Sequence, residues 1–365
     1  MPDPKSAVSP AEAPGAHSLA EILSQPQCWD SCLTLIAKGG QLEAIGELFA
    51  SAKEWLFIGC GSSYYIALAA AASWSALTGM RARALPASEL LLFPDPWLAG
   101  SQKYAPVLIS RSGRTSEVLQ AAEFLKARKV DSLAVTCADH ERLEQLASTT
   151  LALLPADEQS TVMTRSFTSM VLALQYLAAF IAGNRAFLQA LHQLPDAAEN
   201  PLRDLDSRVR EFVAVRQFSD YVALGQGPFY GLACESTLKL TEMSVSYGQV
   251  FHTMEFRHGP KSIVSPETLL VFLLSETGYS EECEVLEEVK SLGATTLVVA
   301  NRADHRARAS ADLLVEFGFD LPELARLAPY VFAGQLLGLY TGLKKGFDPD
   351  QPRHLSRVVV LDDRQ

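Results

Sequence analysis

The sequence predicts an α/β protein with two doubly wound domains in tandem, each with a parallel sheet between two layers of helices. Short apolar runs alternate with amphipathic stretches along most of the chain. The apolar runs read as strands that are covered on both faces, which is typical of parallel sheets. The same alternation begins again in the second half of the chain, so we expect a pseudo-repeat of one domain.

The composition is that of an ordinary globular protein and limits the possible partners. The chain has 365 residues, of which 48% are hydrophobic and 20% charged, enough for two full cores. A formal net charge of −11 argues against nucleic acid, because a phosphate backbone requires a basic surface. The longest apolar stretch, 170–181, contains Gln175 and is too short to span a membrane. We therefore expect neither a nucleic-acid nor a membrane partner.

The cysteines and the N-terminus indicate a compartment. Six cysteines are scattered along the chain, which favours a reducing cytoplasm over a disulfide framework. Cys28 and Cys32 share one helical face, but no further metal ligands lie near them in sequence, so no metal site is predicted. The first fifteen residues lack a basic region followed by an apolar core. A secretory signal is therefore not expected, and the predicted location is the cytoplasm.

The N-terminal region, 1–39, is predicted to contain a disordered tail over 1–16 and a helix over 18–37. The first domain is predicted over 40–195, with its apolar runs as strands and its amphipathic stretches as helices. Its elements follow in the order strand 55–60, helix 64–78, strands 82–86 and 106–110, helix 115–128, strand 132–137, helix 141–147, strand 150–154 and a long helix 165–182.

The second domain is predicted over 205–345, and a C-terminal tail, 346–365, is expected to lie over the active site. Proline and polar residues cluster between Leu194 and Pro201, so the break between the domains is placed there. The elements of the second domain follow in the order strand 221–225, helix 229–246, strand 268–275, helix 281–291, strands 295–300 and 311–316, and a closing helix 322–344.

Two turns rich in serine and threonine, Gly59–Ser63 and Ser110–Thr115, each follow an apolar run and precede a helix. Hydroxyls and free backbone N–H groups at a helix N-terminus form a cradle for phosphate. Neither turn carries the lysine of a Walker loop, so a small phosphorylated metabolite is a better ligand than a nucleoside triphosphate. In a parallel sheet both turns would lie beyond the carboxyl ends of strands, where ligands bind.

A third segment, 158–166, also gathers hydroxyls at the start of a helix. Simple N-capping is an equally good explanation for any one of these turns. Three such turns in one domain favour a shared anion site.

The helix 229–246 carries Glu235, Lys239 and Glu242 at positions i, i+4 and i+7, which places them on one face. They could form a solvated stripe with an ordinary ion pair. However, the leucine and methionine residues around them indicate that most of this helix is buried. A carboxylate on such a helix would have a raised pKa, which suits a general base.

His258 precedes Gly259 and Pro260, so it is expected on a loop. Loops held by a rigid scaffold often carry function, although a lone loop histidine is more often structural. The charged neighbours Glu255, Arg257 and Lys261 would set its pKa and tautomer.

Together these motifs resemble the sugar isomerase (SIS) family, and in particular its tandem-domain members. These include the isomerase half of glucosamine-6-phosphate synthase and the galactosamine/tagatose-6-phosphate deaminase–isomerases. The resemblance covers about residues 40–361 and implies two flavodoxin-like, three-layer domains. Segments 59–64, 110–115 and 235–242 look like the synthase, whereas 163–168 and 256–262 look closest to the deaminase–isomerases.

The resemblance implies a role for each matching residue. Glu242 would move a proton between C1 and C2 through an enediol or enolamine, and Glu235 and Lys239 would orient the substrate and Glu242. His258 would assist ring opening, and in the family this residue can come from the neighbouring subunit of a dimer. The implied substrate-binding residues, most of them for the phosphate, are Ser62, Ser63, Ser110, Arg111, Ser112, Thr115, Thr161, Ser356 and Arg357.

Three departures from the synthase narrow the expectation. No glutamine-hydrolysing domain precedes the first domain, so ammonia from glutamine is not expected within this chain. Arg357 stands where the synthase has the lysine that forms a Schiff base, and a guanidinium does not deprotonate at neutral pH. Arg357 is therefore expected to bind a hydroxyl or phosphate. Met163 replaces a phosphate-loop serine.

The expected function is a phosphosugar isomerase that acts on a hexosamine 6-phosphate or ketose 6-phosphate, as an amino-sugar-6-phosphate deaminase and isomerase. It would work as a homodimer without metal or cofactor, because the acid and base are protein groups. A fructosamine-6-phosphate deglycase would use the same fold and base. A sensor that binds a sugar phosphate without converting it is the alternative from another class, and the presence of Glu242 and His258 argues against it.

Overall fold

The computed structural model describes residues 13–99 and 103–361. Of the tail predicted to be disordered, residues 1–12 lie outside the described residues, as does the end of the C-terminal tail, 362–365. Residues 13–16 are described, and they form a turn that leads into the first helix.

Three helices precede the first sheet: α1 (Ala16–Leu23), α2 (Gln25–Lys38) and α3 (Gln41–Leu48). The sequence predicted one helix where α1 and α2 stand, and it did not predict α3. Pro26 lies in the first turn of α2, where its missing N–H is not needed. Trp29 of α2 stacks on Phe332 with ring centroids 5.4 Å apart and donates to Thr168 at 2.8 Å. These contacts hold the N-terminal helices against the body of the protein.

The first sheet has five parallel strands in the order β2-β1-β3-β4-β5. Strand β1, an inner strand of this sheet, is buried along its whole length, as the continuous apolar run predicted. The strands are β1 (Glu54–Gly59), β2 (Arg81–Pro86), β3 (Tyr104–Ile109), β4 (Leu133–Thr136) and β5 (Thr149–Ala152). The helices that accompany them are α4 (Ser62–Thr78), α5 (Ala87–Leu92), α6 (Ser116–Ala127), α7 (Arg142–Leu146) and α8 (Arg165–Ile181).

A single helix, α9 (Arg185–Ala214), runs through the segment in which the sequence placed a break. Pro195 and Pro201 both lie inside it. Each internal proline costs about 3 kcal/mol, since it removes a hydrogen bond and clashes with the preceding turn. A continuous row of buried apolar residues offsets that cost at about 1.5–3 kcal/mol for each large side chain. The predicted domain limits 195 and 205 therefore fall within a helix, and the division into domains stays a prediction.

The second sheet also has five parallel strands, in the order β10-β9-β8-β6-β7. Read from the other edge, this order matches the first sheet strand for strand. The pair of sheets with flanking helices confirms the predicted fold class. The strands are β6 (Asp220–Gly225), β7 (Gly248–Phe251), β8 (Thr268–Leu273), β9 (Thr295–Ala300) and β10 (Leu313–Glu316). The helices are α10 (Phe229–Ser244), α11 (Tyr279–Ser291), α12 (His305–Ser310) and α13 (Phe332–Lys344).

The sequence missed the short edge strand β7 and the helix α12, and it placed the start of the closing helix too early. Two 3₁₀ helices, Glu323–Arg326 and Ala328–Val331, precede α13. Pro329 lies in the first turn of the second of these, because its ring does not fit the interior of an α-helix.

Three helices, α4, α10 and α13, pack closely enough to place the side chains of α10 next to the first sheet. A Cβ atom at Gly231 of α10 would lie 2.7 Å from the carbonyl oxygen of Tyr65 in α4. On the other side of α10, a Cβ atom at Gly338 of α13 would lie 2.7 Å from the carbonyl oxygen of Lys239. Glycine at these positions lets the backbones approach. As a result, α10 is held between α4 and α13.

Candidate active site

A cavity of about 180 Å³ lies at the carboxyl ends of β1 and β3, where ligands bind in parallel sheets. A larger cavity of about 410 Å³ lies near the start of β3, and none of the residues that the sequence predicted for the site is among the described residues that line it. Most residues that the sequence predicted for the site lie on the wall of the smaller cavity. These are Ser62, Ser63, Arg111, Ser112, Thr115, Thr161, Glu242, Ser356 and Arg357.

The turn after β1 brings the N-terminus of α4 to the cavity. Gly59 is required there, since a Cβ atom would lie 2.5 Å from the carbonyl carbon of Ser63. Gly61 has φ of +54°, a conformation that glycine adopts without strain. Among the described residues no side chain caps this end of α4. The hydroxyls of Ser62 and Ser63, together with the positive end of a 17-residue helix, therefore face a small polar cavity.

The turn after β3 supplies two further hydroxyls. Ser112 and Thr115 line the cavity, and the Ser112 hydroxyl accepts from the backbone N–H of Arg114 at 3.2 Å. Ser110 is buried behind them, with its hydroxyl 3.0 Å from that of Thr115. Ser110 can therefore orient Thr115, whereas it is not part of the cavity wall.

The N-terminus of α8, the predicted third turn of a shared anion site, is occupied by the chain itself. The buried carboxylate of Glu158 accepts from the backbone N–H of Thr164 at 2.7 Å and from its hydroxyl at 2.8 Å. It also accepts from the N–H and hydroxyl of Ser166. The expectation that three helix N-termini share one anion site is therefore wrong for α8, whose N-terminus binds Glu158. Thr161 and Met163 of this loop still line the cavity.

Arg111 lines the cavity, but its guanidinium is bound by protein oxygens. Its terminal nitrogens lie 3.2 Å from the Glu158 carboxylate and 2.9 Å from the carbonyl oxygen of Thr161. They also donate to the carbonyl oxygen of Arg357 at 3.0 Å. The predicted contact between this side chain and the substrate would compete with these bonds.

Four side chains from α4 and α10 form a buried cluster beside the cavity. The Lys239 ammonium lies 3.3 Å from Glu235 Oε1 and 3.4 Å from the Ser62 hydroxyl, and it pairs closely with Glu242. The Ser62 hydroxyl donates to Glu235 Oε1 at 3.1 Å. Glu235 and Lys239 are fully buried, whereas Glu242 is partly exposed and lines the cavity. The predicted common face exists, and it is not a solvated stripe.

Burial and charge act against each other in this cluster. Burial alone would lower the pKa of Lys239, but the neighbouring Glu235 and Glu242 raise this pKa above its usual value. Lys239 is therefore a stable ammonium ion. Burial raises the pKa of Glu235 to about 7, although Lys239 acts in the opposite direction. Lys239 thus ties a cavity-facing carboxylate to a second one behind it.

The structure places His258 away from the cavity. It is exposed on a turn between the 3₁₀ helices Glu255–Arg257 and Pro260–Ile263, and it is not among the described residues that line the cavity. Arg257 binds Glu288 at 2.9 Å, and Lys261 pairs with the same carboxylate. Both cations that flank His258 in sequence are thus engaged with α11.

Sequence reasoning missed the hydrophobic part of the tail. Val358 and Val359 line the cavity, and the Val359 carbonyl oxygen accepts from the N–H of Ser116 at the start of α6. The Arg357 side chain pairs with Asp157. A short tail with no periodic pattern carries no sequence signal for these contacts. The described part of the tail thus covers the cavity from one side.

The described residues were compared with the requirements of a metal centre and of a membrane span. Among residues 13–99 and 103–361, no three histidine, cysteine or acidic side chains are grouped as metal ligands. Within the same ranges, no helix has both the length and the apolar character of a membrane span.

Comparison with known proteins gives matches along most of the chain. A model of the SIS domain matches residues 48–180 and 220–317, more than half of the sequence. The crystal structure of glucosamine-6-phosphate deaminase from Thermotoga maritima superposes with a TM-score of 0.79 at 30% identity, over 95% of this chain and 100% of that one. Tagatose-6-phosphate ketose/aldose isomerase from Escherichia coli superposes with a TM-score of 0.82 at 23% identity, over 97% and 99%.

A longer relative matches over part of its length. Glutamine–fructose-6-phosphate aminotransferase from Methanothermobacter thermautotrophicus is 25% identical over 354 residues, which is 94% of this chain and 57% of that protein. The chain thus spans little more than half the length of this relative.

Proposed function

Because the chain belongs to the SIS domain family, we propose that it is a phosphosugar isomerase. It acts on a hexosamine 6-phosphate or ketose 6-phosphate and moves a proton between C1 and C2. One observation carries the proposal: the Glu235–Lys239–Glu242 cluster presents a carboxylate to a cavity that serine and threonine residues also line. A phosphate anchor and a base then face one small volume.

The phosphate end of the sugar binds at the start of α4. Ser63, Ser112 and Thr115 supply hydroxyl donors, and the uncapped N-terminus of α4 supplies a partial positive charge. Thr161 and Ser356 reach the cavity from the α8 loop and the tail, where they suit the sugar hydroxyls. Ser62 has a different task, since its hydroxyl is already committed to Glu235.

Glu242 is the base. Its carboxylate removes the proton from one of the two carbons and returns it to the other, through an enediol or enolamine. Lys239 holds this carboxylate in place, and Glu235 with Ser62 holds Lys239. The buried pair thus acts on Glu242 without touching the substrate.

An amine on C2 adds the loss of ammonia to the proton transfer. Protonation of the enolamine at C1 leaves an imine at C2, and water then replaces the nitrogen to give the ketose and ammonia. The glucosamine-6-phosphate deaminase from T. maritima is 30% identical to the chain.

Arg357 forms no Schiff base, because its guanidinium stays protonated. Paired with Asp157, it helps to close the cavity.

His258 assists ring opening from a second copy of the chain. Within one copy it is exposed and does not line the described cavity. A homodimer in which each subunit presents this turn to the cavity of the other would complete the site.

A panel of substrates and one variant test the proposal. Amino-sugar and ketose 6-phosphates are incubated with the protein, and both ammonia and product sugar are measured. Glu242→Gln should lower turnover by about 10³-fold, because the amide cannot accept the proton. It should leave sugar-phosphate binding nearly unchanged. The exposed Glu281 on α11 provides the matched control, and Glu281→Gln should retain full turnover.

The outcome also separates the related activities. Ammonia from glucosamine or galactosamine 6-phosphate identifies a deaminase, whereas sugar interconversion without ammonia identifies an isomerase alone. Amino-acid release from fructosamine 6-phosphates would identify a deglycase. Wild-type turnover in Glu242→Gln would rule out the assigned base. Tight binding with no conversion of any sugar would rule out an enzyme and leave a sensor.

A further inference from the structure

One buried guanidinium joins three separate segments around the cavity. Arg111 belongs to the turn after β3, and its side chain is 6% exposed. It binds the Glu158 carboxylate and the carbonyl oxygens of Thr161 and Val162, at 3.2, 2.9 and 3.3 Å, in the loop before α8. It also binds the carbonyl oxygen of Arg357 in the tail at 3.0 Å. All three segments contribute to the cavity wall.

The chemistry of arginine suits this task. A planar guanidinium offers five donors in a fixed fork, whereas an ammonium is a compact charge on a flexible chain. Here the fork reaches a carboxylate and backbone carbonyls in different directions at once. The carbonyl acceptors belong to the backbone, so these bonds fix the backbone path of the loop and of the tail.

The other bonds between residues 356–361 of the tail and this side of the cavity are more exposed. Arg357 and Asp157 pair at side-chain exposures of 43% and 52%. The N–H of Ser116 donates to the Val359 carbonyl oxygen, and the Ser116 hydroxyl accepts from the N–H of Leu361, an exposed residue. Water competes readily for such groups. Of the bonds to residues 356–361, the Arg111 bond therefore has the most buried donor.

We infer that Arg111 is a positioning residue that fastens the tail and the α8 loop to the phosphate-binding turn, and that it does not bind the phosphate through its side chain. This rests on the proposed function only in naming the ligand, a phosphate monoester. Without these bonds, the turn that carries Ser112 and Thr115 would lose its attachment to the α8 loop and the tail, and the affinity for phosphate-bearing ligands would fall.

Arg111→Lys tests the inference, because lysine keeps the charge beside Glu158 and loses the fork. We expect the dissociation constant of inorganic phosphate to rise about tenfold, since small displacements of binding groups are costly. Hydrogen exchange at the amides of Ser116 and Leu361 should accelerate. If a substrate has been found, KM should rise by a similar factor while kcat stays within about threefold. Arg114→Lys, on the same turn and paired with the loop residue Glu141, is the control and should change none of these.

A double variant covers the case in which Arg111→Lys does not fold. Arg111→Met with Glu158→Gln removes both charges, so no buried charge is left without a partner. It should show the same loss of phosphate affinity and the same faster exchange.

Two results would overturn the inference. Unchanged phosphate affinity and unchanged exchange would show that Arg111 fastens nothing that matters for binding. Lost phosphate affinity with fully protected Ser116 and Leu361 amides would make the side chain a direct ligand. Inorganic-phosphate affinity and amide exchange both need no substrate, so they decide the role of Arg111 even if no sugar phosphate is converted.

Discussion

Lys239 shows how single residues set the chemistry of the site. A fully buried ammonium is stable only with partners, and here Glu235, Glu242 and the Ser62 hydroxyl surround it. Burial raises the pKa of Glu235 to about 7, so near neutral pH one of the two carboxylates is partly protonated. The cluster then carries little net charge, which lowers the cost of keeping it out of water.

The cluster was predictable at this scale, and the role of Arg111 was not. Positions i, i+4 and i+7 lie on one face of any helix, so Glu235, Lys239 and Glu242 had to be neighbours. The acceptors of Arg111 lie up to 246 residues away in sequence. No local pattern shows whether such a guanidinium faces a ligand or the protein.

Glu21 of α1 allows a prediction about pH. Burial, and then the nearby Glu158, raises its pKa from 4.5 to about 7. One of its oxygens accepts from the N–H of Gln159 at 2.5 Å, and Oε2 has no hydrogen-bond partner among the described residues. The raised pKa means that the folded protein holds this proton more tightly than the unfolded chain. The stability from this group is complete below about pH 4.5 and is lost as the pH rises through 7.

Glu21→Gln removes this dependence, because an amide stays neutral. Relative to wild type, the variant should be more stable at pH 8 than at pH 5. The difference in its free energy of unfolding from wild type should change by on the order of 2 kcal/mol between the two pH values. Urea unfolding at the two pH values measures it. Glu47→Gln, an exposed change on α3, should show no such difference. An equal effect of Glu21→Gln at both pH values would mean that Glu21 is ionised throughout.

At the scale of elements, the contact between α13 and α10 determines where the helix with Glu235, Lys239 and Glu242 lies. Gly334, Gly338 and Gly342 of α13 face α10 at four-residue spacing. Cβ atoms there would lie 2.3 Å from the Ser236 side chain, 2.7 Å from the Lys239 carbonyl oxygen and 2.2 Å from that of Met243. The two helices therefore approach along almost their whole common length.

Gly338→Ala should separate these helices and disturb Lys239. We expect a loss of about 1–3 kcal/mol in the free energy of unfolding, because the added methyl group has no room. Turnover should fall at least about tenfold, since a shift of α10 moves Glu242. Urea unfolding and a turnover assay measure the two effects.

Gly46→Ala is the matched control. Gly46 also lies inside a helix, α3, but a Cβ atom there would meet no described heavy atom within 4 Å. Alanine should stabilise that helix by up to about 1 kcal/mol. Wild-type stability and turnover in Gly338→Ala would show that the close approach is not needed.

The prolines of α9 mark the limit of prediction for elements. Pro195 and Pro201 are strong local signals for a break, and the break predicted between 194 and 201 rests on them. The helix continues because its apolar row is buried against other helices, which no local signal reveals. The central strands were predictable because their apolar runs are long and continuous, unlike the half-buried edge strand β7.

At the scale of the molecule, the two sheets share one topology, but the turns after β3 and β8 differ. The segment Ser275–Tyr279 follows β8 as Ser110–Thr115 follows β3. In the second domain the Ser275 hydroxyl donates to Glu282 at 2.6 Å, and the Thr277 hydroxyl donates to Glu323 at 2.8 Å. Carboxylates of the chain thus fill the counterpart of the phosphate-binding turn. The phosphate site is expected in the first domain alone.

Mixing two inactive variants tests the shared site. If His258 acts across a dimer, a hybrid of Glu242→Gln and His258→Asn subunits contains one site with both groups intact. An equal mixture, unfolded and refolded together, should recover about a quarter of the wild-type turnover.

The control mixture pairs Glu242→Gln with Glu235→Gln. Both residues belong to one cluster in one chain, so the hybrid gains no intact site, and turnover should not exceed the mean of the two variants assayed separately. Failure of the first mixture to recover activity, with dimers present, would place His258 in the site of its own chain or outside any site.

The sequence by itself determined the fold class, the two hydroxyl-rich turns and the charged face of α10. These depend on local periodicity, which every folded form of the chain must respect. The tertiary structure decided that Glu158 caps the N-terminus of α8, that Arg111 binds the tail and that His258 lies away from the cavity. Those outcomes depend on which distant groups compete for each donor and acceptor once the chain is packed. Such competition is settled only in three dimensions.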